Sequence, residues 1–406
     1  MSDYPMDELG GKTPLEFAKT PNMTFIAANG IMGKALTIPK GMSPASDIAN
    51  LSIMGYDPRK YYTGRGPLEA ANIGVELDRD DVAFRCNLVT VTEDKMIDYS
   101  AGHITTKEAA VLLKHIDKEL GTEWAKFYPG ISYRHLLVLR TKYLRKETGR
   151  SLTLTPSDFM DTDCVPPHNI VGQKISKNLP RGRAKDLLVR LMENSRPVLE
   201  AHELNKVRID LRENPANMIW LWGQGVKPIL PSFEEKFGVK GTVVCAVDLI
   251  KGIGRTVGLD VVNVPGATGY YDTDYKAKAD YAIRSLKDKD FVFVHVEAPD
   301  EAGHNGDLRA KIAAIENFDK LVVGTILQEF KDKQTDFKIL VMPDHATPVS
   351  MKTHTSDFVP LAVYGTGIEK DESTVFTEDA ARTSKLMFKN GHEIMEYFIR
   401  GKQGAR

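Results

Sequence analysis

Short apolar runs separated by amphipathic stretches dominate the second half of the chain. Met218-Ile219-Trp220-Leu221-Trp222, Thr242-Val243-Val244-Cys245-Ala246-Val247, Val261-Val262-Asn263-Val264, Phe291-Val292-Phe293-Val294-His295-Val296 and Ile339-Leu340-Val341-Met342 have the length and apolar content of buried strands. Runs of this kind alternating with helical segments predict a buried, mostly parallel sheet. Between the last two, Ile312, Ile315, Phe318, Val322 and Ile326 recur at helical spacing with charges opposite, which predicts a helix over 308–330. The expected architecture is α/β.

The middle of the chain has a different rhythm. Residues 83–91 and 136–139 are strand-like, 106–120 and 183–202 are helical, and 152–170, rich in Pro, Thr, Asp and His, has the composition of a loop. A set of this size predicts a smaller inserted α+β domain over 81–203. Residues 1–80 and 204–406 would then form one discontinuous main domain.

Composition narrows the function without naming it. At 406 residues and 42% hydrophobic positions, the chain is long enough to fill two such cores. A net charge of −1 and a pI near 6.8 give no general attraction to nucleic acid or acidic membranes, so an anionic ligand must be met by a local basic site. Cys86, Cys164 and Cys245 are far apart and form no CxxC pair, which points away from a disulfide framework or a thiolate zinc site and towards a reducing, cytoplasmic setting. No apolar stretch approaches the roughly 18 residues of a membrane span. The start, Met1-Ser2-Asp3-Tyr4-Pro5, lacks a basic-then-apolar secretory pattern, so a soluble protein is expected, with homo-oligomerisation left open.

The candidate chemistry sits where two of the apolar runs end. Asp300-Glu301-Ala302-Gly303-His304 follows one, Asp344-His345 follows the next, and His354 comes after Pro348, whose turn can bring it back. In open α/β sheets ligands bind beyond the carboxyl ends of the strands. A lone D-x-x-x-H fits a solvated loop equally well. Joined to Asp344-His345, it makes a carboxylate and imidazole set large enough for two divalent ions. Ser46 lies just ahead of a helical stretch that starts near Asp47, where it is either an ordinary N-cap or a nucleophile beside an anion-binding helix start. Arg65, between two glycines, and Arg85 and Arg134, in or beside apolar segments, are candidates for binding a carboxylate or phosphate. Arg59, Arg181, Arg183, Arg208 and Lys251 are further cationic candidates.

Several collinear stretches resemble one known family. They are Asp7-Glu8-Leu9-Gly10-Gly11-Lys12-Thr13-Pro14-Leu15, Ser46-Asp47-Ile48-Ala49-Asn50-Leu51-Ser52, Gly55-Tyr56-Asp57-Pro58, Trp220-Leu221-Trp222-Gly223-Gln224-Gly225, Asp248-Leu249-Ile250-Lys251-Gly252-Ile253-Gly254, Val264-Pro265-Gly266-Ala267-Thr268-Gly269 and Pro343-Asp344-His345, together with 61–69 and 295–304. The chain resembles the cofactor-independent phosphoglycerate mutases of archaeal type, within the alkaline phosphatase superfamily. The resemblance implies an alkaline-phosphatase-like three-layer domain with an inserted smaller domain. It also implies interconversion of 3- and 2-phosphoglycerate through a phosphoserine, in glycolysis and gluconeogenesis and without 2,3-bisphosphoglycerate. Ser46 is then similar to the serine that accepts the phosphoryl group, and Lys251 to a lysine near the transferred phosphate. Asp300, His304 and His354 resemble the ligands of one ion, and Asp344, His345 and Ser46 those of a second, with Mn2+ favoured over Mg2+, Zn2+ or Co2+. Arg65, Arg85 and Arg134 would bind the small anionic phosphorylated substrate.

The start of the chain departs from this pattern. Family members carry an additional apolar strand ending in Gly-Asp-Gly-Met, whose Asp is a ligand of the second ion, and Met1 falls where that methionine stands. A start placed too late is the expectation, and Asp3 is not assigned as a substitute ligand. Two other readings stay open: a homoserine-kinase-like phosphotransferase or phosphatase on the same scaffold, and a non-catalytic metal-binding protein.

Overall fold

The computed structural model describes residues 1–147, 154–331, 333 and 335–401. Its twelve strands among these are β1 (Ile31–Ala35), β2 (Asp81–Thr92), β3 (Lys95–Asp98), β4 (Ala125–Ile131), β5 (Arg134–Arg140), β6 (Met218–Val226), β7 (Gly241–Val244), β8 (Asp260–Val262), β9 (Phe291–Val294), β10 (Lys338–Val341), β11 (Val359–Gly365) and β12 (Leu386–Phe388). The chain divides into two compact units, Met1–Tyr62 with Leu230–Arg406, and Thr63–Ile229.

The first unit carries two sheets. One has the order β8-β7-β9 and is parallel throughout. The other has the order β10-β11-β1-β12, in which β1 and β12 run parallel and β11 is antiparallel to both β1 and β10. The runs that become β7, β8 and β9 pair in parallel as expected, whereas Ile339-Leu340-Val341-Met342, expected in the same sheet, lies in the other and pairs antiparallel with β11, because an apolar run records burial and not strand direction. A cavity of about 880 Å³ runs between β9 and β10, lined by the full length of both strands and reaching Asp300, Asp344 and His345 at one end.

The helix predicted over 308–330 is continuous but not uniform. It runs as Leu308–Asn317, a π-turn over Phe318–Val323, and Gly324–Lys331. Ile315 and Val322 on its apolar stripe are buried in the core. The wider turn sets Asp319 on the buried side, where its carboxylate accepts from the Met23 N–H at 2.7 Å and the Asn22 N–H at 3.2 Å. Those are orphan donors of the first turn of helix Pro21–Asn29, whose own N-cap Thr20 supplies no side-chain bond.

The second unit is an antiparallel sheet covered by helices. β2 pairs with β5 on one side and β6 on the other, β4 lies outside β5, and β3 extends the pairing at the end of β2. The unit is wider than the 81–203 expected: 63–80 and 204–229 belong to it as well. Met218-Ile219-Trp220-Leu221-Trp222, expected in the parallel sheet, instead pairs antiparallel along β2. Its continuous apolar character comes from burial within this unit's core, which it shares with Phe84, Leu88, Leu112 and Leu188. The loop expected over 152–170 contains a helix, Pro156–Met160, opened by a Thr155 and Asp158 capping box. Part of that segment, 152–153, lies outside the described residues.

Candidate metal centre and anion site

The first candidate site is built where β9 gives way to helix Ala298–Asn305. Pro299 opens that helix, and the spacing of four sets Asp300 and His304 on one face. His304 Nε2 lies 3.2 Å from Asp300 Oδ2, and its Nδ1 lies 3.1 Å from the Lys352 carbonyl. That carbonyl can only accept, so Nδ1 carries a proton, and Nε2, which faces the carboxylate, is the nitrogen where a second proton or an ion is held. Pro348 does produce the expected turn: the Met351 and Lys352 N–H groups both donate to its carbonyl, and Ala346 bridges to Thr355. His354 returns by this route. Its Nε2 lies 3.4 Å from Asp300 Oδ1 and 2.8 Å from His304 Nε2.

Two imidazole nitrogens aimed at each other beside a carboxylate share no proton comfortably, but they fit a cation. Ligand atoms about 2.1 Å from one ion stand roughly 3 to 3.4 Å from each other, close to the separations seen here. Among the described residues, Asp300, His304 and His354 are the one group of three or more His, Cys, Asp or Glu side chains that converges in this way.

The second group gathers on Ser46. The serine is the first residue of helix Ser46–Ile53, and Ala45 is the N-cap. The N-cap alternative therefore does not describe it: its Oγ lies 3.0 Å from His345 Nε2. Asn50, one turn on, donates from Nδ2 to the Ser46 carbonyl and to Asp344 Oδ2, both at 2.8 Å. His345 Nε2 is 3.5 Å from the same Asp344 oxygen. Lys251 stands on helix Asp248–Thr256, which packs against the Ser46 helix, and its ammonium pairs with Asp248 at 3.7 Å. Asp3 is engaged elsewhere, in a fully buried pair with Lys311 at 2.7 Å.

The charges in this group depend on one another. Burial would raise the Asp300 carboxyl, but His304, His354 and His345 overcome that and hold it well below the usual carboxylate range. Burial likewise opposes charge on Asp344, yet His345 and His295 keep it ionised. The Asp300 contact pushes His304 up to about 9. Three neighbours that the sequence did not single out belong to this network. His295 Nε2 lies 3.7 Å from Asp344 and 3.4 Å from Glu297, and Cys245 Sγ is 3.5 Å from His295 Nδ1. Burial among these acids raises Glu297 to about 7. Cys245 and His295 are fifty positions apart and meet only because β7 and β9 are paired, so no local motif announces them.

The second unit holds a separate basic cluster. Arg85 projects from β2 with its guanidinium 4.5 Å from the Trp222 ring centre, and Arg65 lies 5.8 Å from the same ring. Burial lowers the Arg85 pKa, Glu69 at 3.4 Å opposes that, and Arg65 and Arg134 lower it further by charge repulsion. The structure thus brings Arg65, Arg85 and Arg134 together, with His168 against Trp222 beside them. Gly223, at φ 60°, carries no side chain where a Cβ would meet Arg85 and Arg65. The remaining arginines have structural partners: Arg208 is buried on Glu108 and Glu213, Arg59 pairs with Asp57, Arg183 with Asp158, and Arg181 donates to the Lys177 carbonyl.

The model of the family described as 2,3-bisphosphoglycerate-independent phosphoglycerate mutase matches residues 27–205. A protein of that name from Methanosarcina barkeri is 49% identical over 99% of this chain and 98% of its own length. A probable 2,3-bisphosphoglycerate-independent phosphoglycerate mutase of Geobacter sulfurreducens is 47% identical over 98% of this chain and 97% of its own. Among solved structures, a Pyrococcus horikoshii protein superposes with a TM-score of 0.81 at 31% identity, covering 100% of this chain and 96% of that one. The cofactor-independent phosphoglycerate mutase of Thermoplasma acidophilum does so at 0.64 and 26%, covering 98% and 96%. No helix among the described residues is long and apolar enough to cross a membrane. Near-complete coverage at close to half identity leaves one placement: the chain belongs to the 2,3-bisphosphoglycerate-independent phosphoglycerate mutases.

Proposed function

We propose that this chain interconverts 3-phosphoglycerate and 2-phosphoglycerate in glycolysis and gluconeogenesis, without 2,3-bisphosphoglycerate, and that Ser46 carries the phosphoryl group between the two hydroxyls. The observation that carries the reading is the placing of the Ser46 Oγ 3.0 Å from His345 Nε2, beside Asp344, in a member of the mutase family. A serine hydroxyl is a poor nucleophile until something draws off its proton.

Asp300, His304 and His354 would hold one divalent ion, and Asp344, His345 and Ser46 a second; a mixed carboxylate and imidazole set suits Mn2+ or Zn2+, and the family resemblance favours Mn2+. When bound, such ions supply Lewis-acid charge and favour the ionised serine. Ser46 Oγ then attacks phosphorus in line, the bond from phosphorus to the glycerate oxygen breaks, and that oxygen takes the proton the serine lost. Glycerate presents its other hydroxyl, whose oxygen attacks the phosphorus of phosphoserine; the bond from phosphorus to Ser46 Oγ breaks, and the serine takes the proton that hydroxyl loses. Lys251 would offset charge on the transferred oxygens. Arg65, Arg85 and Arg134 would grip carboxylate or phosphate in two-point contacts.

An enolase-coupled assay with 3-phosphoglycerate and Mn2+ tests this. Wild-type protein should turn over and Ser46→Ala should not, while phosphopeptide mapping of quenched wild type should find phosphate on Ser46. Absence of turnover by the folded wild-type chain with Mn2+ would sink the mutase reading.

A further inference from the structure

Thr347 has no role in the reaction described so far, yet its hydroxyl lies between the two candidate ion sites. The side chain is buried, with 2% of its surface exposed. Its Oγ1 donates a short hydrogen bond to Asp300 Oδ1 and lies 3.2 Å from His345 Nδ1. The residue is held on every side. Its carbonyl accepts from Lys311 Nζ at 2.7 Å, its N–H reaches the Ser2 carbonyl at 3.4 Å, and Gly303 packs directly on its backbone and Cγ2. Lys311 is itself fixed by the buried pair with Asp3, whose carboxylate also accepts from the Val349 N–H at 3.1 Å.

A threonine hydroxyl has one proton to give. Asp300 faces His304 and His354 as an acceptor, so the Thr347 proton points to Asp300. The contact with His345 must then run the other way, with Nδ1–H donating to Oγ1. We infer that Thr347 is a positioning residue that locks His345 in its Nδ1–H form, so that Nε2 alone is offered to an ion and to Ser46, and that this one hydroxyl ties the Asp300 site to the Ser46 site. This rests on the reading of both groups as ion sites. Outer partners of this kind orient a ligating imidazole and raise its basicity, and their loss costs about 10- to 100-fold in metal affinity or activity.

The test uses the full-length chain with 15N-labelled histidine, free of metal, and reads which ring nitrogen of His345 carries the proton from long-range proton–nitrogen spectra. The signals are assigned by their loss in His345→Gln. Wild type and Thr347→Ser should carry the proton on Nδ1, and the near-isosteric Thr347→Val should shift it at least partly to Nε2. Titration with Mn2+ should then give about 10- to 100-fold weaker binding for Thr347→Val, with the serine variant near wild type, and a fall in kcat rather than a rise in KM. A wild-type His345 protonated on Nε2 overturns the inference without any variant. So does a Thr347→Val protein with unchanged protonation and unchanged Mn2+ affinity. If wild type binds no Mn2+ at all, the ion-site reading fails while the spectra still decide the role of Thr347.

Discussion

Gly303 lacks a side chain because there is no room for one. A Cβ there would stand 2.3 Å from the Thr347 carbonyl oxygen and 3.0 Å from its Cγ2, and neither the helix nor the pinned loop can give way cheaply. Gly303→Ala should therefore cost about 1 to 3 kcal/mol by overpacking, read as a lower midpoint in urea, and should weaken Mn2+ binding because Asp300 and His304 ride on the same helix. A midpoint and affinity equal to wild type would show that the close approach is not constraining. In the other unit, Arg85 is a buried cation whose carboxylate neighbour among the described residues, Glu69, is 3.4 Å away, a loose contact for a guanidinium. Arg85→Met keeps the bulk and removes the charge. It should raise KM for 3-phosphoglycerate about 10- to 100-fold, the loss of one or two charge-assisted bonds, with kcat changed less. An unchanged KM would remove Arg85 from the substrate site.

At the scale of elements, the helix from Leu308 to Lys331 shows what periodicity reveals and what it hides. Its stripe of Ile312, Ile315, Phe318, Val322 and Ile326 is legible because burial repeats with the turn. The π-turn is invisible to it, because the reason for the turn lies in another helix: Asp319 caps Pro21–Asn29. Asp319→Ala should leave the buried Met23 N–H and the half-buried Asn22 N–H without their acceptor and cost about 2 kcal/mol. Equilibrium unfolding measures this, and a loss under about 0.5 kcal/mol would place the cap among ordinary surface contacts. The same limit explains the site. Asp300, His304, Asp344, His345 and His354 could be proposed from sequence because metal-type residues cluster at strand ends. Thr347 and Asn50 could not, since a threonine or asparagine has a role there only through the partner that tertiary structure sets beside it; His295 and Glu297 stand at a strand end too, but their part depends on Cys245 and Asp344, which the fold brings to His295. β6 was misplaced for a related reason: an apolar run records burial, and burial does not say in which sheet.

For the whole molecule, the centre links pH, metal and stability with opposite signs. In the metal-free chain His304 titrates at about 9, above its ordinary 6.5, because protonated imidazole is held by Asp300, with His354 and Glu301 beside it. A folded-state pKa raised in this way adds stability that is complete below about 6.5 and is lost as pH rises through 9. An ion at His304 Nε2 must displace that same proton, so metal binding strengthens over the same range, by roughly tenfold per pH unit for one competing proton. Ligand binding to the folded state stabilises it in proportion to the logarithm of its affinity. The melting temperature of EDTA-treated protein should therefore decline between pH 6.5 and 8.5, while the gain on adding saturating Mn2+ grows. Asp300→Asn should abolish both trends together, since it removes the partner of the proton and the ligand of the ion. Scanning calorimetry of the four samples at three pH values decides it. A Mn2+ increment that stays constant with pH, or an Asp300→Asn protein that keeps it, would mean that the ion does not bind where His304 holds its proton.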